Sequence, residues 1–150
     1  MNVLFVCVAN SGRSVLAEHL LLAAAGGHHE ARSAGSNPGS APHPEVVQAL
    51  RELGLDAADH VPRRLDDEAI AWADVIVATC DDACPVVPGA MRDDWPLPDP
   101  KGRPIEEVRA IREEIRGRVT RLIAAQGWGQ APVPADEARG PSSPNPLPQP

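Results

Sequence analysis

Two short, almost uninterrupted apolar runs constrain the fold most strongly: NVLFVC, residues 2–7, and DVIVATC, residues 74–80, each ending on a cysteine. Brief β-branched runs bounded by polar segments read as strands buried on both faces, and such strands need helices above and below them. The rest of the chain provides those helices. VLAEHLLLAAA (15–25) reads as a helix ended by Gly26-Gly27, and HHEARSAGS (28–36) as a second strand running into a turn at SNPGS. Pro44 opens PEVVQALRELG, with Val46, Val47, Leu50 and Leu53 on one face and Gly54 just past the end. DDEAIAWA (66–73) is expected to be a short helix, and residues 90–95 a short strand. The longest helix carries Ile105, Val108, Ile111, Ile115, Val119, Leu122 and Ile123 as a single core-facing stripe.

This order predicts an α/β fold, an open and mostly parallel four-stranded sheet with helices on both faces. At 150 residues there is room for one ordinary domain, which we place at residues 1–128. With one Phe, no Tyr and three Trp, its core must be built from Val, Leu, Ile and Ala. From Gly129 the chain reads GQAPVPADEARGPSSPNPLPQP, with seven prolines and almost no large apolar side chain. Residues 129–150 are therefore expected to be a disordered tail, a proline-rich docking motif being the alternative.

A formal charge of −7 leaves no electrostatic footprint for a nucleic-acid backbone or an anionic membrane, so neither is expected as a partner. Three cysteines do not make a secreted disulfide framework. Residues 3–9 are too short for a secretory segment, and no later stretch has the length of a membrane span. A reducing cytoplasm is the expected compartment, where cysteines tend to be reactive rather than structural.

Open sheets bind ligands beyond the carboxyl ends of their strands, where Cys7 is expected to sit. Val8, Ala9, Asn10, Ser11 and Gly12 then form a loop leading straight into a helix through Arg13 and Ser14. Successive backbone N–H groups in such a loop, with those of the helix start, converge on an anion and favour a thiolate. Arg13 adds a planar fork for two oxygens of a tetrahedral oxyanion, and Ser14 a hydroxyl for the sulfur. Cysteine is also among the most buried residue types, so plain packing is the alternative for Cys7. The strand–loop–helix context favours the reactive reading.

CVANSGRSVLAEHLL resembles the phosphate-binding loop and first helix of the low-molecular-weight protein tyrosine phosphatase superfamily, which includes the thioredoxin-coupled arsenate reductases. RSAGSNPGSAPHPEVVQALRELGLD is similar to that family's second strand, Ala-Gly loop and Pro-led helix, and WPLPDPKG to its Asp-Pro loop. The resemblance implies Cys7 as nucleophile, Arg13 as oxyanion clamp, Asn10 and Ser14 as loop organisers, and Asp99 as general acid. Taken alone, Asp99 reads as a solvated loop residue between two prolines.

Phosphatase and reductase share the attack of Cys7 on a tetrahedral centre and part at the second step. A reductase must supply two electrons from thiols, and Cys80 and Cys84 are the candidates. Cys80 should lie on the same sheet edge as Cys7, and Cys84 four residues further on. If helical, that spacing separates the Cα atoms by about 6 Å, which a disulfide tolerates. CDDACPVVPG resembles the corresponding segment of actinobacterial-type arsenate reductases, including mycothiol-linked forms, although thioredoxin-coupled relatives have a longer spacer. Gly12 is a second departure, since many relatives carry another cysteine there.

A tyrosine phosphatase of this superfamily flanks its substrate ring with an aromatic pair, where this chain has Lys101-Gly102 and no tyrosine at all. Trp95 is expected to pack beneath the loop. A zinc site lacks its four ligands, so no metal is expected, nor any tightly bound cofactor. The five histidines read as surface or loop residues without a catalytic companion. The expected function is arsenate reduction with an external thioredoxin- or mycothiol-type thiol. The alternatives are a phosphomonoester hydrolase and a non-catalytic oxyanion-binding or phosphocysteine carrier module, as in sugar-transport phosphotransfer proteins.

Overall fold

The alternation of side chains along the first strand divides the interior into two layers. The computed structural model describes residues 2–25, 30–80 and 91–126. Its elements are β1 (Asn2–Cys7), α1 (Arg13–Ala25), β2 (Glu30–Gly35), α2 (Pro44–Arg51), α3 (Asp67–Trp72), β3 (Val75–Cys80), β4 (Met91–Leu97) and α4 (Ile105–Gln126). Val3 and Phe5 of β1 join Val75 and Val77 of β3 in a large core under α1, α2 and α4. Leu4, Val6 and Ile76 face the other way, into a smaller core closed by α3. Helices thus cover both faces, as expected for strands apolar at nearly every position.

The sheet order is β2-β1-β3-β4, and every pairing is parallel. β1 and β3 are its central strands. Val6 pairs with Ala78, so the register carried one step on brings Cys7 level with Thr79, with Cys80 one step beyond. The Thr79 hydroxyl extends that ladder by donating to Val6 O at 3.0 Å.

Local chemistry sets the element ends. α1 starts at Arg13, two residues before the expected Val15, because Leu16 N already donates to Gly12 O at 2.9 Å. α2 stops at Arg51, where Leu53 N and Gly54 N turn back to Leu50 O and Arg51 O and tighten the chain, and Gly54 then takes a φ of +79°. Asp66 caps α3 by accepting from Ala69 N at 2.8 Å. On α4, Val108, Ile111, Ile115, Val119, Leu122 and Ile123 are all buried, each contributing about 1.5–3 kcal/mol by leaving water. Trp95 lies in the large core, its ring centroid 5.6 Å from that of Phe5.

The Gly26-Gly27 helix stop, Cys84 and the tail expected from Gly129 lie outside the described residues. Among the described residues no helix is long and apolar enough to cross a membrane.

Candidate active site

Where β1 ends, the chain has to leave the sheet and enter α1 within a few residues, and the neighbouring 36–43 segment dictates how. Ser36 N, Asn37 N, Gly39 N and His43 N donate to the carbonyls of Cys7, Val8, Ala9 and Ser11 at 2.8–3.2 Å. A trans peptide points its N–H opposite to its carbonyl. Drawing those carbonyls outward therefore turns the N–H groups of Val8, Ala9, Asn10 and Gly12 inward, onto one point. Asn10 N lies 3.2 Å from Cys7 Sγ. Gly35 at the end of β2 permits this packing, because a Cβ there would lie 2.4 Å from Val8 O.

Asn10 is the hinge of the loop, with a φ of +52° that asparagine tolerates better than most side chains. Its Oδ1 accepts from Arg63 N at 2.9 Å, and its Nδ2 donates to Ser14 Oγ at 2.8 Å. Ser14 Oγ is 2.9 Å from Cys7 Sγ. Cys7 is only 2 % exposed at the floor of a pocket of about 450 Å³.

Arg13 is buried and reaches across the sheet end, donating through Nη1 to Leu97 O at 2.9 Å. Its Nη2 stands 3.9 Å from Asp99 Oδ2. Asp99, half-exposed at the rim, accepts from Lys101 N at 3.0 Å, and Arg103 N closes the turn onto Pro100 O. Asn37, Gly39, Ser40, Ala41 and His43 complete the lining, which among the described residues carries no six-membered aromatic ring.

Val8, Ala9, Ser11, Gly12, Arg13 and Asp99 thus line the pocket over Cys7, while Asn10 and Ser14 reach its sulfur. Cys80 ends β3 beside Cys7's strand, and Cys84 is outside the described residues. Among the described residues no three metal-binding side chains come together.

One histidine departs from the surface reading. The His60 side chain is 8 % exposed behind the loop, its Nε2 3.2 Å from both Asn10 O and Asn10 Oδ1, its Nδ1 4.0 Å from Glu18 Oε1. Two acceptors at Nε2 put the proton there. Glu18 in turn accepts a short hydrogen bond from Ser33 Oγ, and the His19 ring stands 6.3 Å from that of His60. Burial lowers the His60 pKa, opposed by Glu18 and the Asn10 carbonyl and reinforced by His19 and Arg63. Glu18 could have been found from its spacing, one turn after Ser14 on the same helix face. Nothing local to His60 announces its role.

The family model for low molecular weight phosphotyrosine protein phosphatases matches residues 2–128. An arsenate reductase of Staphylococcus epidermidis is 30% identical over 119 residues, which span 77% of this chain and 90% of that protein. Among solved structures, a thioredoxin-dependent arsenate reductase of Corynebacterium glutamicum superposes with a TM-score of 0.69 at 41% identity. That match covers 83% of this chain but 60% of the Corynebacterium chain. An arsenate reductase of Archaeoglobus fulgidus superposes with a TM-score of 0.72 at 33% identity, covering 81% of this chain and 98% of that one.

Proposed function

The chain belongs to the low molecular weight phosphotyrosine protein phosphatase family, and we propose that within it this protein is an arsenate reductase. The observation that carries the reading is a pairing: an oxyanion loop closed around Cys7, and a second cysteine, Cys80, ending the adjacent parallel strand on the same sheet edge. The relatives named as arsenate reductases at 30% identity and above support it.

In this reading the inward N–H groups and the Arg13 guanidinium hold arsenate with its arsenic in front of Cys7 Sγ. The Cys7 thiolate attacks, an S–As bond forms, and one As–O bond breaks, its oxygen leaving as water with a proton from Asp99. Cys80 then attacks Cys7 Sγ. The S–S bond forms, the S–As electron pair passes to arsenic, and As(V) leaves as As(III), arsenite. Cys84 attacks Cys80, freeing the Cys7 thiolate and leaving a Cys80–Cys84 disulfide for an external thiol donor of the thioredoxin or mycothiol type to reduce. Cys7 is too buried for a large thiol partner to reach, which favours an internal second thiol or a small external one.

The test is arsenate-dependent oxidation of a supplied thiol donor by the purified protein, with arsenite quantified. Cys7→Ser should abolish turnover, Cys80→Ser should stop it at the Cys7 adduct with no arsenite released, and Cys84→Ser should stop it after one round. Retained turnover in the latter two, with a small thiol as donor, would replace the internal relay by direct attack of that thiol. Steady aryl-phosphate hydrolysis by the Cys80→Ser, Cys84→Ser double variant, with no arsenite from the parent, would make the protein a phosphatase. Oxyanion binding without either turnover would leave the carrier.

A further inference from the structure

Gly12 stands in the middle of the oxyanion loop, yet its backbone does not require glycine. Among the described residues φ is positive only at Asn10, Gly54 and Gly102, so an L side chain would fit the backbone of residue 12. What it would not fit is the space. A Cβ on Gly12 would lie 2.7 Å from Pro100 Cγ, and 3.3 Å from both Pro100 Cδ and His43 Cδ2. The glycine is wedged directly beneath the turn that carries Asp99.

We propose that Gly12 is a positioning residue for Asp99: the side chain it lacks is the space into which the Pro100 ring closes, and that closure sets how far the Asp99 carboxyl reaches over the bound oxyanion. The proposal rests on the reading of Asp99 as the proton donor of the reaction.

The two sides of the contact differ in how firmly they are held. Residue 12 is fixed on both flanks, because Ser11 O accepts from His43 N and Gly12 O accepts from Leu16 N, both at 2.9 Å. The Asp99 turn is held by bonds within itself, Lys101 N to Asp99 Oδ1, Arg103 N to Pro100 O and Arg103 Nε to Asp99 O. It approaches the loop through Arg13, whose Nη1 donates to Leu97 O at 2.9 Å just before the turn and whose Nη2 stands 3.9 Å from Asp99 Oδ2. A proline ring is tied to its own backbone and can only change pucker, so it cannot swing away as a flexible side chain would. Restoring ordinary carbon–carbon separations of about 3.5–4.0 Å therefore moves the turn outward by about 1 Å. Misplacing a catalytic group by that much can cost on the order of a hundredfold in rate.

The experiment compares Gly12→Ala, Pro100→Ala and the double variant in the full chain. Gly12→Ala should lower kcat by about tenfold or more while the inhibition constant for inorganic phosphate stays within about twofold, since the inward N–H groups remain. The double variant should recover most of the loss, because Pro100→Ala removes the Cγ and Cδ atoms that the new methyl meets. Hydrogen exchange gives a reading independent of turnover: the Lys101 amide should exchange faster in Gly12→Ala and return toward the parent rate in the double variant. Three results would overturn the proposal: parent-like kcat in Gly12→Ala, loss of phosphate binding in step with kcat, or no rescue by Pro100→Ala. A parent that reduces no arsenate defeats the proposed function instead, and Gly12 is then judged by aryl-phosphate hydrolysis and by exchange at Lys101.

Discussion

Ser14 Oγ lies 2.9 Å from Cys7 Sγ and accepts the Asn10 side-chain amide at 2.8 Å, which leaves its own proton available to the sulfur. Asn10 cannot be turned the other way, because its Oδ1 is already claimed by Arg63 N at 2.9 Å. The hydroxyl can therefore donate to the sulfur as Cys7 attacks, and hydrogen bonds to charged groups contribute about 1.5–3 kcal/mol. Ser14→Ala should slow alkylation of Cys7 by iodoacetamide by roughly tenfold or more, while Ser14→Thr keeps most of the parent rate. An equal alkylation rate in parent and Ser14→Ala would mean that the hydroxyl does not support the attacking sulfur.

Glu52, just past the end of α2, ties that helix to α4. It accepts from Arg109 Nε at 3.1 Å and Nη2 at 2.6 Å, and from Arg112 Nη1 at 2.8 Å. The hydrogen bonds from Arg109 and then Arg112 hold its pKa at about 2, below the ordinary 4.5. A folded value below the unfolded one means that the stabilisation is present above about pH 4.5 and lost as pH falls toward 2. Glu52→Gln should unfold at lower urea than the parent near neutral pH, and the gap should close across that acid window. High salt should narrow it too, because the three side chains are partly open to water. A gap that ignores both acid and salt would put its origin in packing.

What could be read from the residues themselves followed the reach of the interactions. The two central strands were legible because β1 and β3 are apolar at nearly every position, and the α4 stripe because its period is short. The loop from Cys7 to Ser14 was legible because strand, loop and helix are contiguous, so the chemistry lies in one stretch of chain. His60 was not, since it meets Asn10 and Glu18 only after β2 has paired with β1 and the chain has returned behind the loop. The Gly12–Pro100 contact joins segments far apart in the chain and leaves no local pattern. The early stop of α2 was decided by a tightening of its last turn that periodicity does not encode. Trp95, expected beneath the loop, packs in the large core against Phe5, a contact between distant segments that leaves no local pattern.

His60 gives a prediction with a definite sign. Burial, helped by His19 and Arg63 and opposed by Glu18 and the Asn10 carbonyl, sets its folded pKa below the ordinary value of 6.5. Below 6.5 the unfolded chain takes up a proton that the folded chain resists, so His60 contributes stability that is present above that pH and lost as pH falls through the lowered value. His60→Gln cannot titrate but keeps an N–H to offer Asn10. Its urea midpoint should therefore fall less steeply than the parent's between neutral pH and about pH 5, while its affinity for inorganic phosphate stays close to the parent's. His60→Ala removes that donor as well. Asn10, whose φ of +52° is braced by His60 and Arg63, then loses one side of its support, and phosphate should bind more weakly by about 1 kcal/mol, or roughly fivefold. Identical pH slopes for parent and His60→Gln would show that the ring titrates as freely in the folded chain as in the unfolded one. Unchanged phosphate affinity in His60→Ala would show that Arg63 N alone holds the loop.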